Sequence, residues 1–112
     1  MPLAELLLPE FDEEMAATRR VLDRTSRILE LFDRNAAAAR AALATASDAE
    51  FKKPWAFKVG GRTVATNPKF TVYRRTVLNH LVHHRGQLTV YLRLNDAAIP
   101  AVYGPTADEP NF

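Results

Sequence analysis

His80 and His84 stand four residues apart. On a helix, side chains at that spacing leave from one side, one turn from each other. Neutral imidazole is a common ligand for zinc, nickel, copper and iron, so the chemistry this pair suggests is divalent-metal binding. The bland alternative is two core histidines whose ring nitrogens are satisfied by neighbours. His83 is the only other histidine; it lies roughly 120° from the centre of the same helix face and is not expected to share the ion. Two ligands fall short of the three protein ligands and one open position of a catalytic zinc site. Arg85 and Gln87 stand near enough to orient neighbouring groups. No other constellation carries chemistry: there is no cysteine, no phosphate-cradling glycine loop, no nucleophile motif and no clustered carboxylate pair.

The helix that positions the histidines is predicted over about residues 68–95. Asn67 serves as its N-cap with Pro68 in the first turn, and Asn95, Asp96 and Pro100 end it. At about 100° per residue, Phe70, Tyr73, Val77, Leu81, Leu88, Tyr91 and Leu92 form one apolar stripe, with His84 inside it and His80 at its edge. Gly86 costs about 1 kcal/mol in a helix interior, which predicts close approach of another backbone there.

Ahead of this helix, Trp55–Val59 and Arg62–Thr66 alternate large apolar and polar residues around Gly60-Gly61. That is the signature of a two-residue hairpin over about 55–66. Between Pro9 and Pro54 there is neither glycine nor proline. Phe11, Met15, Thr18, Leu22, Thr25, Leu29, Phe32, Ala36, Ala39 and Leu43 recur at alternating steps of four and three, a heptad seam. Its unbroken phase through residues 23–26 predicts one long helix over about 10–46; a cap at Thr25 or Ser26 would instead start a second one. The tail after Pro100 is expected to be irregular.

A chain of 112 residues with 47% hydrophobic and 25% charged residues reads as one folded domain over 1–112, mainly α with a small β-hairpin between two long helices. No apolar run reaches the ~20 residues of a membrane span, and the opening segment lacks the basic region of a signal peptide. A cytoplasmic location and no membrane partner are expected. The 15 basic and 13 acidic residues interleave, with Arg19-Arg20 and Arg74-Arg75 as the only adjacent arginine pairs. A nucleic-acid partner is therefore not expected.

The segment Asn79-His-Leu-Val-His-His-Arg-Gly-Gln87, followed by Tyr91-Leu-Arg93, Pro100, Tyr103-Gly-Pro105 and Ala107-Asp-Glu109, resembles the C-terminal signature of the DinB/YfiT-like family. Leu31–Asn35 with Pro54-Trp55 and the hairpin resembles that family's third helix and following strands, and Phe11–Leu22 its first helix. The resemblance implies a helical bundle holding a divalent metal, zinc or nickel, on three histidines, two of them placed as His80 and His84 are. It also implies relatives that act as metal-dependent thiol transferases or hydrolases on small thiols or other small molecules.

Full members carry a second helix that supplies the third histidine, and this sequence passes from the first-helix pattern straight to the third. One continuous helix of about 37 residues would be about 55 Å long. A compact chain of this size has a radius of gyration near 13 Å. The expectation is therefore a homodimer in which each long helix completes the partner's bundle. Glu14 or Asp33 is a carboxylate that a partner could add to His80 and His84. Without it, the chain reads as a non-catalytic dimeric structural or interaction protein.

Overall fold

The computed structural model describes residues 2–22 and 26–110. Helix α1 spans Leu3–Leu22, and Ala4, Leu7, Phe11, Glu14, Thr18 and Val21 are its buried residues. Steps of three and four place them on one stripe. Pro9 lies within this helix on its exposed side. The helix thus begins well before residue 10: burial of Ala4 and Leu7 offsets the hydrogen bond that proline cannot donate. The Leu3 amide donates to Asp48 Oδ1 at 2.7 Å, which ties the start of α1 to a later segment.

Helix α2 spans Ser26–Thr45. Arg40 pairs with Asp12 at 2.7 Å and Arg19 with Asp33 at 2.9 Å. Numbers that rise on one helix fall on the other, so α1 and α2 are antiparallel. The single helix predicted over 10–46 is therefore two helices folded against each other. The longest dimension of the molecule is 44 Å, and no rod of ~55 Å exists among the described residues. The predicted passage through Asp23, Arg24 and Thr25, and any cap by Thr25, lie outside the described residues. A heptad seam specifies which residues are buried but is blind to a chain reversal. Leu22 and Leu29 keep phase across seven positions while belonging to different helices. The geometric reason for an intertwined dimer falls with the rod.

A short helix, α3 (Asp48–Lys52), is capped by Ser47, whose hydroxyl accepts from the Glu50 amide at 3.1 Å. Strands β1 (Pro54–Val59) and β2 (Arg62–Pro68) then form the antiparallel hairpin. Gly60 and Gly61 take φ of 56° and 77°, the positive values that a two-residue hairpin turn demands of both central residues. Both faces of the hairpin are exposed.

Asn67 pairs with Trp55 within the sheet and does not cap the next helix. That helix starts behind Pro68 with no side-chain cap, and the Lys69 amide donates instead to the Lys53 carbonyl at 2.9 Å. The helix is continuous in three parts: α4 (Lys69–Val72), a π-helical stretch (Tyr73–Leu78) and α5 (Asn79–Leu94). It ends where Asp96 adopts φ 55°. There the Ala97 amide reaches the Leu92 carbonyl at 2.9 Å and the Asp96 amide the Arg93 carbonyl at 3.1 Å, the paired bonds of a left-handed C-terminal cap.

Leu7, Phe11, Leu43, Phe51 and Leu78 form the core with Ala4. Burying each large side chain contributes about 1.5–3 kcal/mol. Residues 95–110 form no helix or strand, as expected, yet side chains pin them. Arg20 donates to the Ala101 carbonyl at 2.6 Å and pairs with Glu109, and Arg93 pairs with Asp108 at 2.6 Å. The radius of gyration, 16.4 Å, exceeds the ~13 Å of a compact chain of this length.

Two outcomes follow from this packing. The Arg93 guanidinium, with the Ile99 amide, holds Asp108 below its ordinary value, and the Ala101 amide, with Arg20, does the same for Glu109. Lys53 and Lys69 pull Glu50 down to about 2. Carboxylates depressed in the folded state stabilise it above their unfolded values, and that stabilisation is lost as the pH falls through the folded ones. The thermal midpoint should therefore fall progressively as the pH drops below about 5, read by circular dichroism melts. Separately, a Cβ added at Gly86 meets nothing within 4 Å, which corrects the predicted close approach. Gly86→Ala should raise stability by about 0.5–1 kcal/mol in urea titrations.

Candidate functional site

The π-helical stretch decides how α5 presents its side chains. Turns closed by i→i+5 hydrogen bonds hold more residues than α turns, so the inward face advances along the sequence. Tyr73 packs on the core, and the next buried residue is Leu78, followed by Arg85. Position 84, which a uniform 100° projection turns inward, faces out instead, and Val77 borders an open groove against α1 and α2. Val77 is 46% and Tyr91 64% exposed, and His80 and His84 are both exposed. The apolar stripe predicted to contain His84 is thus displaced by about one residue.

The two rings converge. His80 Nε2 and His84 Nε2 are 2.8 Å apart, with ring centroids separated by 4.5 Å. On the other side of His84, Nδ1 lies 2.9 Å from Gln87 Oε1. An amide oxygen only accepts, so Nδ1 donates in this contact, and in the neutral ring that tautomer leaves the lone pair on Nε2, on the side of His80. Two imidazole nitrogens bound to one zinc ion at ~2.0–2.1 Å would stand roughly 2.9–3.4 Å apart. The observed 2.8 Å is slightly shorter than that range, so the rings would have to part to admit an ion. The same distance suits an N–H···N hydrogen bond from His80 to His84.

His83 stands edge-on to His84 with centroids 5.2 Å apart, nearer than its expected direction implied. Among the described residues, no group of three or more His, Cys, Asp or Glu side chains is placed to hold an ion. Glu14 is not free to help. Its Oε2 accepts from Arg85 at 2.6 Å, its Oε1 accepts from the Tyr103 hydroxyl at 2.5 Å, and it is 9% exposed. Asp33 is engaged by Arg19 at 2.9 and 3.2 Å. Of the two residues expected to orient neighbours, Gln87 touches His84, whereas Arg85 turns into the core.

Arg85 and Glu14 form a cluster that the sequence reading did not identify. Arg85 is 5% exposed, lies 3.5 Å from Thr18 Oγ1, and carries its guanidinium 5.2 Å from the centre of the Tyr103 ring. Partial burial, and then the hydrogen bond to Glu14, raise the Tyr103 phenol above its ordinary value. The cluster joins α1, α5 and the tail. One signal for it was present: Glu14 and Thr18 share the apolar face of α1 with Phe11, and a carboxylate in such a stripe needs a partner.

The model of the DinB family matches residues 11–111 of the chain. The chain belongs to the DinB family. No curated protein and no solved structure matches it. Membership agrees with the mainly helical architecture and its inserted hairpin.

Within this DinB protein the Arg85–Glu14 pair is a structural bond, and its removal is measurable. Arg85→Met leaves Glu14 buried without its cation and should cost about 3–5 kcal/mol in denaturant titrations. The double variant Glu14→Met with Arg85→Met should recover most of that loss. An additive double variant would show that the two residues act independently.

Proposed function

We propose that this DinB protein binds a divalent metal, zinc or nickel, through His80 and His84, and that a second copy of the chain completes the coordination. The observation that carries the reading is the 2.8 Å approach of the two Nε2 atoms, with Gln87 Oε1 on the other ring nitrogen of His84. A histidine ligand is commonly oriented by a hydrogen bond from its other ring nitrogen. Imidazole donors suit zinc and nickel. The site is exposed, which leaves room for ligands from a partner or from solvent.

The case for a second copy rests on a cavity of about 370 Å³ between α1, α2 and the π-helical stretch. Phe11, Met15, Phe32, Ala36, Val77 and Leu81 are among its lining residues. Ile28 and Leu31 on α2 are 49% and 50% exposed beside it. An open apolar flank of this kind marks an interaction surface, and it lies where a further helix of a bundle would pack. Glu14 is buried and held by Arg85 and Tyr103, whereas the Asp33 carboxylate is exposed and would have to exchange its Arg19 partner to serve as a ligand from the second copy.

When bound, such an ion lowers the pKa of a coordinated water or thiol. Activity as a thiol transferase or hydrolase on a small molecule depends on a completed site, and a cytoplasmic location belongs to the same reading. The second reading is a non-catalytic dimer whose histidines only bond each other. It is favoured by the lack of a third ligand group among the described residues.

Elemental analysis of untagged protein, joined to sedimentation, separates these. Metal should co-purify with a dimer, and His80→Ala or His84→Ala should abolish it without loss of helicity. Metal at a hundredfold excess over its Kd should stabilise the wild type alone by about 2.7 kcal/mol. Leu31→Glu should yield a monomer that binds metal more weakly. Equal metal content in wild type and both histidine variants would overturn the metal site, and a wild-type monomer at micromolar concentration would overturn the dimer.

A further inference from the structure

The two adjacent arginine pairs are put to different uses. Arg19 pairs with Asp33, Arg20 with Glu109, and Arg74 with Glu10. Arg75 forms no ion pair among the described residues. It stands at the rim of a polar recess of about 380 Å³ with Asn67, Thr71 and Thr76. A second recess of about 210 Å³ shares Ala65, Asn67, Val72 and Thr76 with the first and is walled by Trp55 and Phe57. The two recesses are lobes of one cleft between the hairpin and the histidine helix.

The hairpin register builds the apolar wall. Trp55 pairs with Asn67 and Phe57 with Ala65, and residues two apart on a strand share a face. The Trp55 and Phe57 rings are stacked at 24° with centroids 6.1 Å apart, and they are 41% and 46% exposed. Aromatic area open to water in one lobe, and in the other a guanidinium with no ion pair among the described residues, make a surface of two chemistries. The apolar lobe rewards burial of a hydrocarbon or ring. The polar lobe offers a fork that matches a carboxylate, with amide and hydroxyl groups around it.

We infer that this cleft binds a small organic acid, with its carboxylate on Arg75 and its apolar body against Trp55 and Phe57. The lobe volumes match the few hundred Å³ of small-ligand sites. Thr76 lines both lobes and precedes His80 by four residues on the same helix. The binding itself does not depend on a metal, and its test is run with chelator present.

Trp55 is the only tryptophan in the chain, so its fluorescence reports on the cleft. Hydrocinnamate should change Trp55 emission saturably, and hydrocinnamyl alcohol and propionate, each lacking one half of the pattern, should bind at least tenfold more weakly. Arg75→Gln should weaken hydrocinnamate at least tenfold without changing the affinity for the alcohol. Phe57→Ala should weaken both. Far-UV circular dichroism checks that each variant keeps its fold, and both sites are on exposed elements. A non-saturable response, equal affinity for acid and alcohol, or indifference to Arg75→Gln would overturn the inference. So would binding seen by calorimetry with Trp55 emission unmoved, which would seat the acid in the apolar flank.

Discussion

Between Tyr73 and Leu78 the helix is wound with i→i+5 bonds, and the direction of every later side chain on it follows from that local unwinding. Leu78 and Arg85 turn into the molecule, and His80 and His84 turn out. An uninterrupted α-helix from Lys69 would carry His84 toward the core and Arg85 toward solvent. The histidines would then be shielded by apolar neighbours, and Glu14 would be buried without a cation. The π-helical stretch therefore serves two ends at once: it seats the core pair and exposes the imidazoles. Such stretches recur at functional sites because they redirect side chains without ending the helix.

Stability and tail placement are coupled through Arg85 and Glu14. Taking two charges out of water is costly, and the cost is met only when hydrogen bonds satisfy the remaining polar atoms. Here Tyr103 supplies one of those bonds to Glu14 and stacks beside the guanidinium. The tail is then held a second time by Arg20 and Arg93. A segment without regular structure is thus fixed by directional contacts rather than by a core of its own.

The helices leave one flank uncovered, and the hairpin stands with both faces in solvent. These two features account for a radius of gyration above that of a compact chain of equal length. They also divide the surface by chemistry. The flank is almost wholly apolar, whereas the cleft beneath the hairpin mixes aromatic, hydroxyl, amide and guanidinium groups.

Much of this was written in the sequence, for reasons that are local. Gly60-Gly61 dictated the hairpin because few other residue pairs accept two positive φ values. The heptad seam marked Phe11, Thr18 and Leu43 as inward-facing. The spacing of His80 and His84 fixed that their rings share a side. What the sequence could not determine depended on contacts between distant residues. A seam in constant phase is the same for one helix and for two in antiparallel contact, and only Asp12–Arg40 and Arg19–Asp33 reveal the reversal. Asn67 reads as a cap until its pairing with Trp55 draws it into a strand. The histidine helix has no residue that announces a π-helical stretch. Its inward face was decided by where Leu78 met the α1 core and where Arg85 met Glu14, across 71 positions of chain.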